Sequence, residues 1–269
     1  MSRARTGRGS PGAVTEAWEG SAYAEAAAHH RAQDEWFLAR HRPGPRDRVV
    51  DVGCGSGEFT ALLAGLVPSG SVLGVEPDAS MVESARRHAL RNLAFVQAPA
   101  QELDGVVEAG STDLVVSRAA LHWIPLEDHQ RCYEAVRTVL RPGGVFHAES
   151  AGTGNLPRIV AVLDDVAAGL GLPPAQVTFL TPSQAFELLE AAGFRPGPDD
   201  VRAVAQRRPM SRDALLAMVR TQAVHAWEAH DPDVRARFLD QAVARLDELR
   251  RPDGTYDQTF VRLELLVRR

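Results

Sequence analysis

Three glycines alternate in the segment VVDVGCGSGEF, residues 49–59, directly after a short apolar run. A cluster of this kind lets backbone N–H groups and the start of a helix approach a ligand closely, because no side chain fills the space. The same pattern also forms tight turns with only a structural role, and that alternative stays open here. The functional interpretation places a nucleotide-like ligand at residues 51–57, outside the carboxyl ends of parallel strands.

An acidic residue, Glu76, ends the next apolar run, 25 residues after Asp51. A carboxylate in this position can accept hydrogen bonds from both ribose hydroxyls of a nucleotide. The structural alternative, a residue at the start of the next helix, is compatible with this role, and the ribose contact is the favoured interpretation. The dinucleotide fingerprint G-x-G-x-x-G is incomplete, because Glu58 stands where its third glycine belongs. This favours a ligand smaller than a dinucleotide and makes an NAD(P)-dependent oxidoreductase the weaker alternative.

The elements that position these residues alternate between strands and helices. Apolar runs predict strands at 48–53, 71–76, 93–98, within 111–121 and at 144–150, and helical spacing predicts helices at 57–67, 80–90 and 127–140. Such alternation is typical of a doubly wound parallel α/β sheet with helices on both faces. Beyond residue 150 the pattern predicts helices at 155–171, 181–194, 211–230 and 232–251, and strands at 201–209 and 257–269. Thr181, Pro182 and Gln184 form a capping-box pattern.

Composition excludes several classes of protein. The 269 residues are 45% hydrophobic and 24% charged, which is ordinary for a globular enzyme. A net charge of −5 opposes nucleic-acid binding, and no apolar stretch is long enough to cross a bilayer. Two cysteines, Cys54 and Cys132, form neither a disulfide framework nor a metal cluster, so we expect no metal and a cytoplasmic location.

Four segments, in order, resemble the motifs of the class I S-adenosylmethionine-dependent methyltransferases. They are VVDVGCGSGEF (49–59), VLGVEPDASMVESAR (72–86), STDLVVSRAALHWI (111–124) and LRPGG (140–144). The resemblance spans residues 45–150 and is greatest to type-11-like enzymes of the branch that contains trans-aconitate methyltransferase. It implies S-adenosylmethionine as the cofactor and a Rossmann-like sheet of seven strands. The last strand, DQTFVRLELLVRR (257–269), is then antiparallel.

This resemblance also implies how the chain is divided. The predicted parts are a disordered tail (1–15), N-terminal capping helices (16–44), the S-adenosylmethionine-binding core (45–150), a helical substrate lid (151–180 and 210–252) and the remainder of the core sheet (181–209 and 253–269).

The resemblance assigns cofactor contacts around the glycine segment. Asp51 is expected to steady the glycine turn and to reach the methionine amino group. The residues expected to line the methionyl moiety are Gly53, Cys54, Gly55 and Gly57. Cys54 is interpreted as a small structural residue, with a reactive thiol as the alternative. Glu76 is expected to hold the ribose, and Pro77 and Met81 to pack against the adenine.

The adenine contact departs from the family pattern. Many relatives have an Asp–Ala pair where this chain has Pro99–Ala100, so the usual carboxylate contact to the adenine amino group is missing. The expected replacements are the N–H of Ala100 and the side chain of Gln101 or Glu102.

Further cofactor contacts are implied at the fourth strand and in the N-terminal helices. The end of the strand supplies backbone groups around the methionine amine from Ser117, Arg118 and Ala119. His30 is expected to cover the cofactor, with a surface histidine as the alternative. Tyr23 is expected to close over the sulfonium by aromatic–cation attraction, with simple helix packing as the alternative.

The acceptor side offers weaker signals. His122 follows the fourth strand and is a candidate general base, or a donor that orients the acceptor, and the structural alternative is a turn fixed with Trp123. Arg158 and Arg220 lie in the lid segments and can clamp a carboxylate with two parallel hydrogen bonds. All 30 basic residues counted as Lys or Arg are arginine, so each one is also explained as an ordinary surface charge.

The predicted function is methyl transfer to a small organic acceptor, such as a carboxylate, mainly by in-line positioning. The alternatives are O-, N- or C-methylation of a larger secondary metabolite, an NAD(P)-dependent oxidoreductase and a non-catalytic S-adenosylmethionine-binding protein. The expected partner is a small-molecule acceptor, without nucleic acid or membrane. A bacterial protein that acts as a monomer or homodimer is expected.

Overall fold

The computed structural model describes residues 33–173, 177–219 and 231–269. Contacts divide the chain into two units, residues 1–42 and 43–269. In the first unit, residues 33–40 form helix α1. The predicted tail and the predicted cofactor residues Tyr23 and His30 lie outside the described residues.

The second unit contains a seven-stranded sheet, which confirms the predicted fold class. Its strands are β1 (Arg48–Val52), β2 (Ser71–Glu76), β3 (Leu93–Gln97), β4 (Thr112–Arg118), β5 (Leu140–Ala151), β6 (Val201–Met210) and β7 (Tyr256–Arg268). The spatial order is β3-β2-β1-β4-β5-β7-β6. The pairs among β1 to β5 are parallel, whereas β7 runs antiparallel to both β5 and β6. Strand order reverses between β1 and β4, where doubly wound sheets bind their ligands.

Except for the short α4, which was not predicted, the helices of the second unit lie in the predicted segments with somewhat different bounds, and residues 220–230 of the predicted helix 211–230 lie outside the described residues. The helices are α2 (Glu58–Leu66), α3 (Ala79–Ala85), α4 (Leu103–Val106), α5 (His129–Val139), α6 (Pro157–Gly169), α7 (Pro182–Ala191), α8 (Arg212–Met218) and α9 (Pro232–Asp247). The predicted helix 80–90 ends early, because the amides of Arg87 and His88 bond three residues back and close a turn. The capping box predicted at Thr181 and Gln184 is confirmed.

Two apolar clusters form the core. The larger one includes Tyr133, Phe146 and Leu189 and packs α5 and α7 against the sheet. The second joins α6, α8 and α9 to the start of β7, with Ile159 and Phe238 almost fully buried. Burying a side chain of this size contributes about 1.5–3 kcal/mol. The second cluster therefore fixes α6 beside the carboxyl ends of β4 and β5.

The described part of the chain contains no helix that is long and apolar enough to span a membrane. Within the same residues, no group of three or more His, Cys, Asp or Glu side chains is arranged to hold a metal ion.

Candidate active site

The glycine loop after β1 has backbone angles that favour glycine. Gly53 has φ +72°, and a Cβ atom added there would lie 2.2 Å from the Cβ of Ala120. Gly55 has φ +54°, but no heavy atom lies within 4 Å of its hypothetical Cβ. Gly57 closes the loop by donating its N–H to the Cys54 carbonyl at 3.0 Å. The loop thus packs tightly at Gly53 and leaves open space at Gly55, as a cofactor-binding loop requires.

Glu76 joins the glycine loop to the end of β2. The Gly55 N–H donates to its Oε2 at 3.0 Å, and the Asp78 N–H donates to its Oε1 at 3.2 Å. The Gly53 N–H also donates to the Val75 carbonyl at 2.8 Å. A carboxylate oxygen can accept more than one hydrogen bond, so Glu76 can still accept hydrogen bonds from ribose hydroxyls. The bond to Asp78 shows that its structural role at the start of α3 is also real.

Asp51 is buried at the end of β1 and accepts a 2.8 Å hydrogen bond from the Thr60 hydroxyl. Burial raises the pKa of Asp51 to about 7, against the lowering effect of the Thr60 bond, and the Glu76 charge adds to the rise. A nearby cation favours the ionised form of such a carboxyl group. Thr60 was not predicted as a site residue; its only signal is a hydroxyl in the apolar sequence of α2.

Cys54 sits between these two carboxyl groups. Burial and the charges of Asp51 and Glu76 raise the pKa of its thiol. A Cβ atom at Gly74 would lie 2.8 Å from the Cys54 sulfur, so the thiol packs directly against β2. A protonated, packed thiol is a poor nucleophile, and this favours the structural interpretation.

The end of β4 lies against the glycine loop. The Ser117 hydroxyl donates to the Val52 carbonyl at 2.8 Å, and the Arg118 guanidinium lies 4.5 Å from the centre of the Phe59 ring. Ala119 has φ +54° and donates its N–H to the Glu149 carbonyl at 2.7 Å. In the described chain, the only other non-glycine residue with positive φ is Leu156. Strain of this kind persists where the surroundings fix it, often at functional sites.

The residues predicted to contact adenine surround the ends of β2 and β3. Pro77 is exposed and Met81 half-buried at the start of α3. Ala100 and Gln101 form a short 3₁₀ turn after Pro99. The Gln101 amide donates to Asp128 at 3.2 Å, so one of its two N–H donors is already used.

A cleft beside α6 encloses about 610 Å³ of empty volume, part of it open to solvent. Its polar lining residues are His122, Asn155 and Asp164. The apolar ones are Trp123, Ala151, Leu156, Ile159, Val160, Leu163, Val177, Phe179, Met218 and Val219. We call this cleft the acceptor cavity. The four residues from Ala119 to His122 connect it to the glycine loop, because Ala120 lies against Gly53.

His122 is held at the edge of the acceptor cavity. The Ala151 N–H donates a long 3.4 Å hydrogen bond to its Nδ1, and its ring centre lies 5.0 Å from that of Trp123 and 6.4 Å from that of Phe179. Burial lowers the pKa of His122 to about 4, and repulsion from Arg262 contributes. The imidazole is therefore neutral at pH 7.

Arginines gather behind the cavity on β4, β6 and β7. Arg262 forms a 3.2 Å ion pair with the buried Glu149. Burial lowers the pKa values of Arg118 and Arg208, and the Arg262 charge adds to both effects. The pKa of Glu149 is raised by burial, with the arginines opposing that rise. The charges of Arg262 and Arg118 thus act on the buried Glu149, which pairs in register with a second buried carboxylate, Glu264.

Not all predicted substrate residues are brought together. Arg158 is exposed on α6 and is not among the residues that line the cavity. Arg220 lies outside the described residues. Two residues that line the cavity, Asn155 and Phe179, were not predicted from the sequence. The Oδ1 atom of Asn155 accepts a hydrogen bond from the Val261 N–H at 3.0 Å. Neither residue carries a recognisable sequence signal.

Comparison with known proteins agrees with this geometry. A family described as a methyltransferase domain matches residues 49–144. Trans-aconitate 2-methyltransferase of Methylobacterium radiotolerans is 30% identical over 232 residues, which cover 82% of this chain and 86% of that protein. The chain belongs to the class I S-adenosylmethionine-dependent methyltransferases.

Other similarities extend this assignment. Trans-aconitate 2-methyltransferase of Deinococcus radiodurans is 46% identical over 102 residues, 38% of this methyltransferase and 37% of that protein. The crystal structure of the YcgJ protein of Bacillus subtilis has a TM-score of 0.64 at 16% identity, covering 89% of this chain and 99% of that one. The second comparison supports the fold alone. The predictions of family, enzyme class and cofactor are confirmed, and the methyltransferase interpretation replaces the oxidoreductase alternative.

Proposed function

We propose that this methyltransferase transfers a methyl group from S-adenosylmethionine to a small organic carboxylate. The observation that carries the proposal is the junction at residues 119–122, which joins the glycine loop to the acceptor cavity. The relatives named above are methyltransferases of trans-aconitate, an organic acid, and this supports a carboxylate acceptor.

The residues at the glycine loop fit the cofactor. The open space at Gly55 accepts the methionyl moiety, and Asp51 receives its ammonium group. Glu76 accepts the ribose hydroxyls, while Pro77, Met81, Ala100 and Gln101 flank the adenine. Backbone groups of residues 117–119 complete the methionine site. S-Adenosylmethionine, when bound, supplies an electrophilic methyl group on a sulfonium.

The protein's own contribution is then to position the acceptor and exclude water. Orienting two reactants can supply up to about 7–11 kcal/mol of the barrier reduction. His122 orients the acceptor at the cavity edge, and Trp123 and Phe179 shield that edge from solvent. The segments 151–180 and 210–252 serve as the substrate lid. Their described helices α6 and α9 pack on each other, which gives the lid a fixed apolar wall.

A larger secondary metabolite, methylated on O, N or C, is the second candidate acceptor. The apolar lining of the cavity favours it. The monomeric or dimeric state, the cytoplasmic location and the absence of nucleic-acid partners stay predictions.

The proposal is tested by calorimetric titration with S-adenosylhomocysteine, followed by activity assays with organic acids. The parent should bind the ligand, and Glu76→Ala should weaken binding about 100-fold, because hydrogen bonds to a charged group contribute about 1.5–3 kcal/mol each. Glu83→Ala is the matched control, since this carboxylate on α3 is 78% exposed and should leave binding unchanged.

Each failure has a separate meaning. A folded parent that does not bind S-adenosylhomocysteine contradicts the assigned cofactor site. Tight binding without turnover of any organic acid would instead favour the non-catalytic or larger-metabolite alternative. Glu76→Gln, which keeps one carbonyl acceptor for the loop, separates loss of the ligand contact from collapse of the loop.

A further inference from the structure

The acceptor cavity is mostly apolar. Ten of its thirteen lining residues in the described chain carry apolar or aromatic side chains, and none is an arginine. Among these described lining residues, a small polycarboxylate would find no cationic partner to offset the hydration that it loses, which is unfavourable. An apolar molecular body would instead gain about 25 cal/mol for each Å² of surface removed from water. The lining therefore selects for a hydrophobic acceptor body.

The polar residues that line the cavity also limit which acceptors can bind. The Asn155 amide oxygen is committed to the Val261 N–H, which precedes Arg262 in β7. Asp164 is the only charged lining residue among those described, and it is acidic. It lies eight residues beyond Leu156 on α6, about 12 Å along the helix axis. No described lining residue along α6 supplies a positive charge for a second carboxylate.

Only one tautomer of the neutral His122 ring is compatible with its hydrogen bond to Ala151. Because its Nδ1 accepts the Ala151 N–H, the neutral ring carries its proton on Nε2. The free ring nitrogen is then a hydrogen-bond donor with no lone pair available to remove a proton. Such a residue cannot act as the general base that a neutral O–H or N–H acceptor needs. A carboxylate needs no base and accepts a hydrogen bond from this donor.

The charged side chains near His122 also favour a carboxylate as the group that binds there. Ala151 pairs in register with Arg262 across β5 and β7, and the charge of Arg262 acts on His122. Arg118 and Arg208 add positive charge, Glu149 balances one of the three, and Glu264 is already paired with Arg202. The potential therefore favours an anionic group at the His122 end and an uncharged body along α6.

We propose that the acceptor is a monocarboxylic acid with an apolar body, with its carboxylate on His122 and its body in the cavity along α6. This inference rests on the proposed function and narrows its substrate class. One carboxylate oxygen forms the bond to the methyl carbon as the carbon–sulfur bond breaks. The electron pair stays on sulfur, so the products are a methyl ester and S-adenosylhomocysteine, and no proton moves.

The test compares three probes in calorimetry with saturating S-adenosylhomocysteine: decanoate, decan-1-ol and the tricarboxylate trans-aconitate. Decanoate should bind at least tenfold more tightly than either other probe, and the active enzyme should convert it to methyl decanoate, detected by mass spectrometry. Tighter binding of trans-aconitate, or no binding of decanoate by a protein that binds S-adenosylhomocysteine, would overturn the inference while leaving the cofactor assignment intact. Loss of S-adenosylhomocysteine binding would instead mark failure of the proposed function.

A variant of His122 locates the carboxylate contact. His122→Phe should weaken decanoate at least fivefold while decan-1-ol is unaffected. Equal losses for the acid and the alcohol would contradict the assigned donor role of His122.

Discussion

The glycine loop and the acceptor cavity meet at residues 119–122, yet they present different groups to their ligands. The loop presents backbone N–H groups and the carboxyl groups of Asp51 and Glu76, all within 30 residues of sequence. The cavity is formed by side chains that extend from His122 to Val219 and come mainly from α6 and the segment 177–179. One region therefore binds through main-chain geometry and the other through side-chain packing.

This difference has a consequence for how each region responds to substitution. Main-chain sites tolerate no added atom near the ligand, whereas an apolar cavity adapts to changes of similar volume. A main-chain loop therefore suits a cofactor that a whole family shares. A cavity lined by side chains suits an acceptor that differs between members of the family.

The largest expected effect is at Gly53. Gly53→Ala puts a Cβ atom 2.2 Å from Ala120 with φ at +72°, so the loop and the end of β4 must move apart. Left-handed strain and overpacking together should lower the free energy of unfolding by about 2–5 kcal/mol and abolish S-adenosylhomocysteine binding. Urea unfolding and calorimetry measure the two effects.

Gly65→Ala is the control for Gly53→Ala. Gly65 lies within α2 with no heavy atom within 4 Å of its hypothetical Cβ, so alanine should keep or raise stability. If Gly53→Ala were as stable as the parent and bound the ligand normally, the close approach of the loop to Ala120 would have no importance.

Gly55→Ala should separate binding from stability. No protein atom lies within 4 Å of the added Cβ, so the free energy of unfolding should fall by only about 1–2 kcal/mol, the strain of φ at +54°. The same methyl group enters the space assigned to the cofactor, and S-adenosylhomocysteine affinity should fall between about tenfold and 100-fold, or about 1.4–2.8 kcal/mol. An affinity within threefold of the parent would show that the cofactor lies elsewhere.

Asp51 makes cofactor binding depend on pH. With its pKa at about 7, the carboxyl group is mostly protonated at pH 6 and mostly ionised at pH 8. The ligand's ammonium group favours the ionised form, so affinity should rise about tenfold between these pH values. Asp51→Asn should bind more weakly and lose the pH dependence. Calorimetry across this range, with Thr60→Val shifting the midpoint upward, tests the assignment.

The effect of Asp51 on the stability of the unliganded protein has the opposite pH dependence: stability falls as pH rises. The folded state holds the Asp51 proton that the unfolded state loses above the ordinary aspartate pKa of 3.8. Stability from this group is thus fully present below that value and declines as pH rises to about 7, by about 4 kcal/mol in the limit. Urea unfolding without ligand should show a decline in the parent that is absent in Asp51→Asn. A parent whose stability does not change over this range would contradict the raised pKa.

The two regions also differ in what sequence alone reveals. The glycine spacing, the acid at the end of β2 and the strand–helix alternation are local signals, and they predicted the doubly wound sheet and the loop that follows its first strand. Thr60 escaped prediction because its partner, Asp51, lies nine residues away on another element. Segment bounds were less accurate, since caps and turns such as that after Ala85 decide where a helix ends.

The acceptor cavity could not be predicted in the same way. Ile159, Phe179 and Met218 line one cavity although 59 residues separate the first from the last. Such residues are also ordinary core residues, so only tertiary packing identifies them. Residue type alone does not place a side chain in the cavity either, since Arg158 is exposed on α6 while Ile159 and Leu163 line the cavity.

The smallest expected effect concerns the link between the cavity and the sheet. The segment 177–180 is held by hydrogen bonds from Thr178 N–H to His122 O and from Thr153 N–H to Leu180 O, and the capping box of α7 follows directly. Thr181→Ala should lower the free energy of unfolding by about 1 kcal/mol. Ser183→Ala, on the same exposed turn, is the control and should change little.

Binding measurements on Thr181→Ala then test whether the two regions are independent. S-Adenosylhomocysteine affinity should be unchanged, because α7 packs mainly on α5 and β6, whereas decanoate affinity should fall about twofold through Phe179. An equal loss for both ligands would mean that the cavity and the loop respond as one unit. The close packing of Ala120 on Gly53 would then transmit changes across the junction, and the cofactor and acceptor sites would have to be treated as a single site.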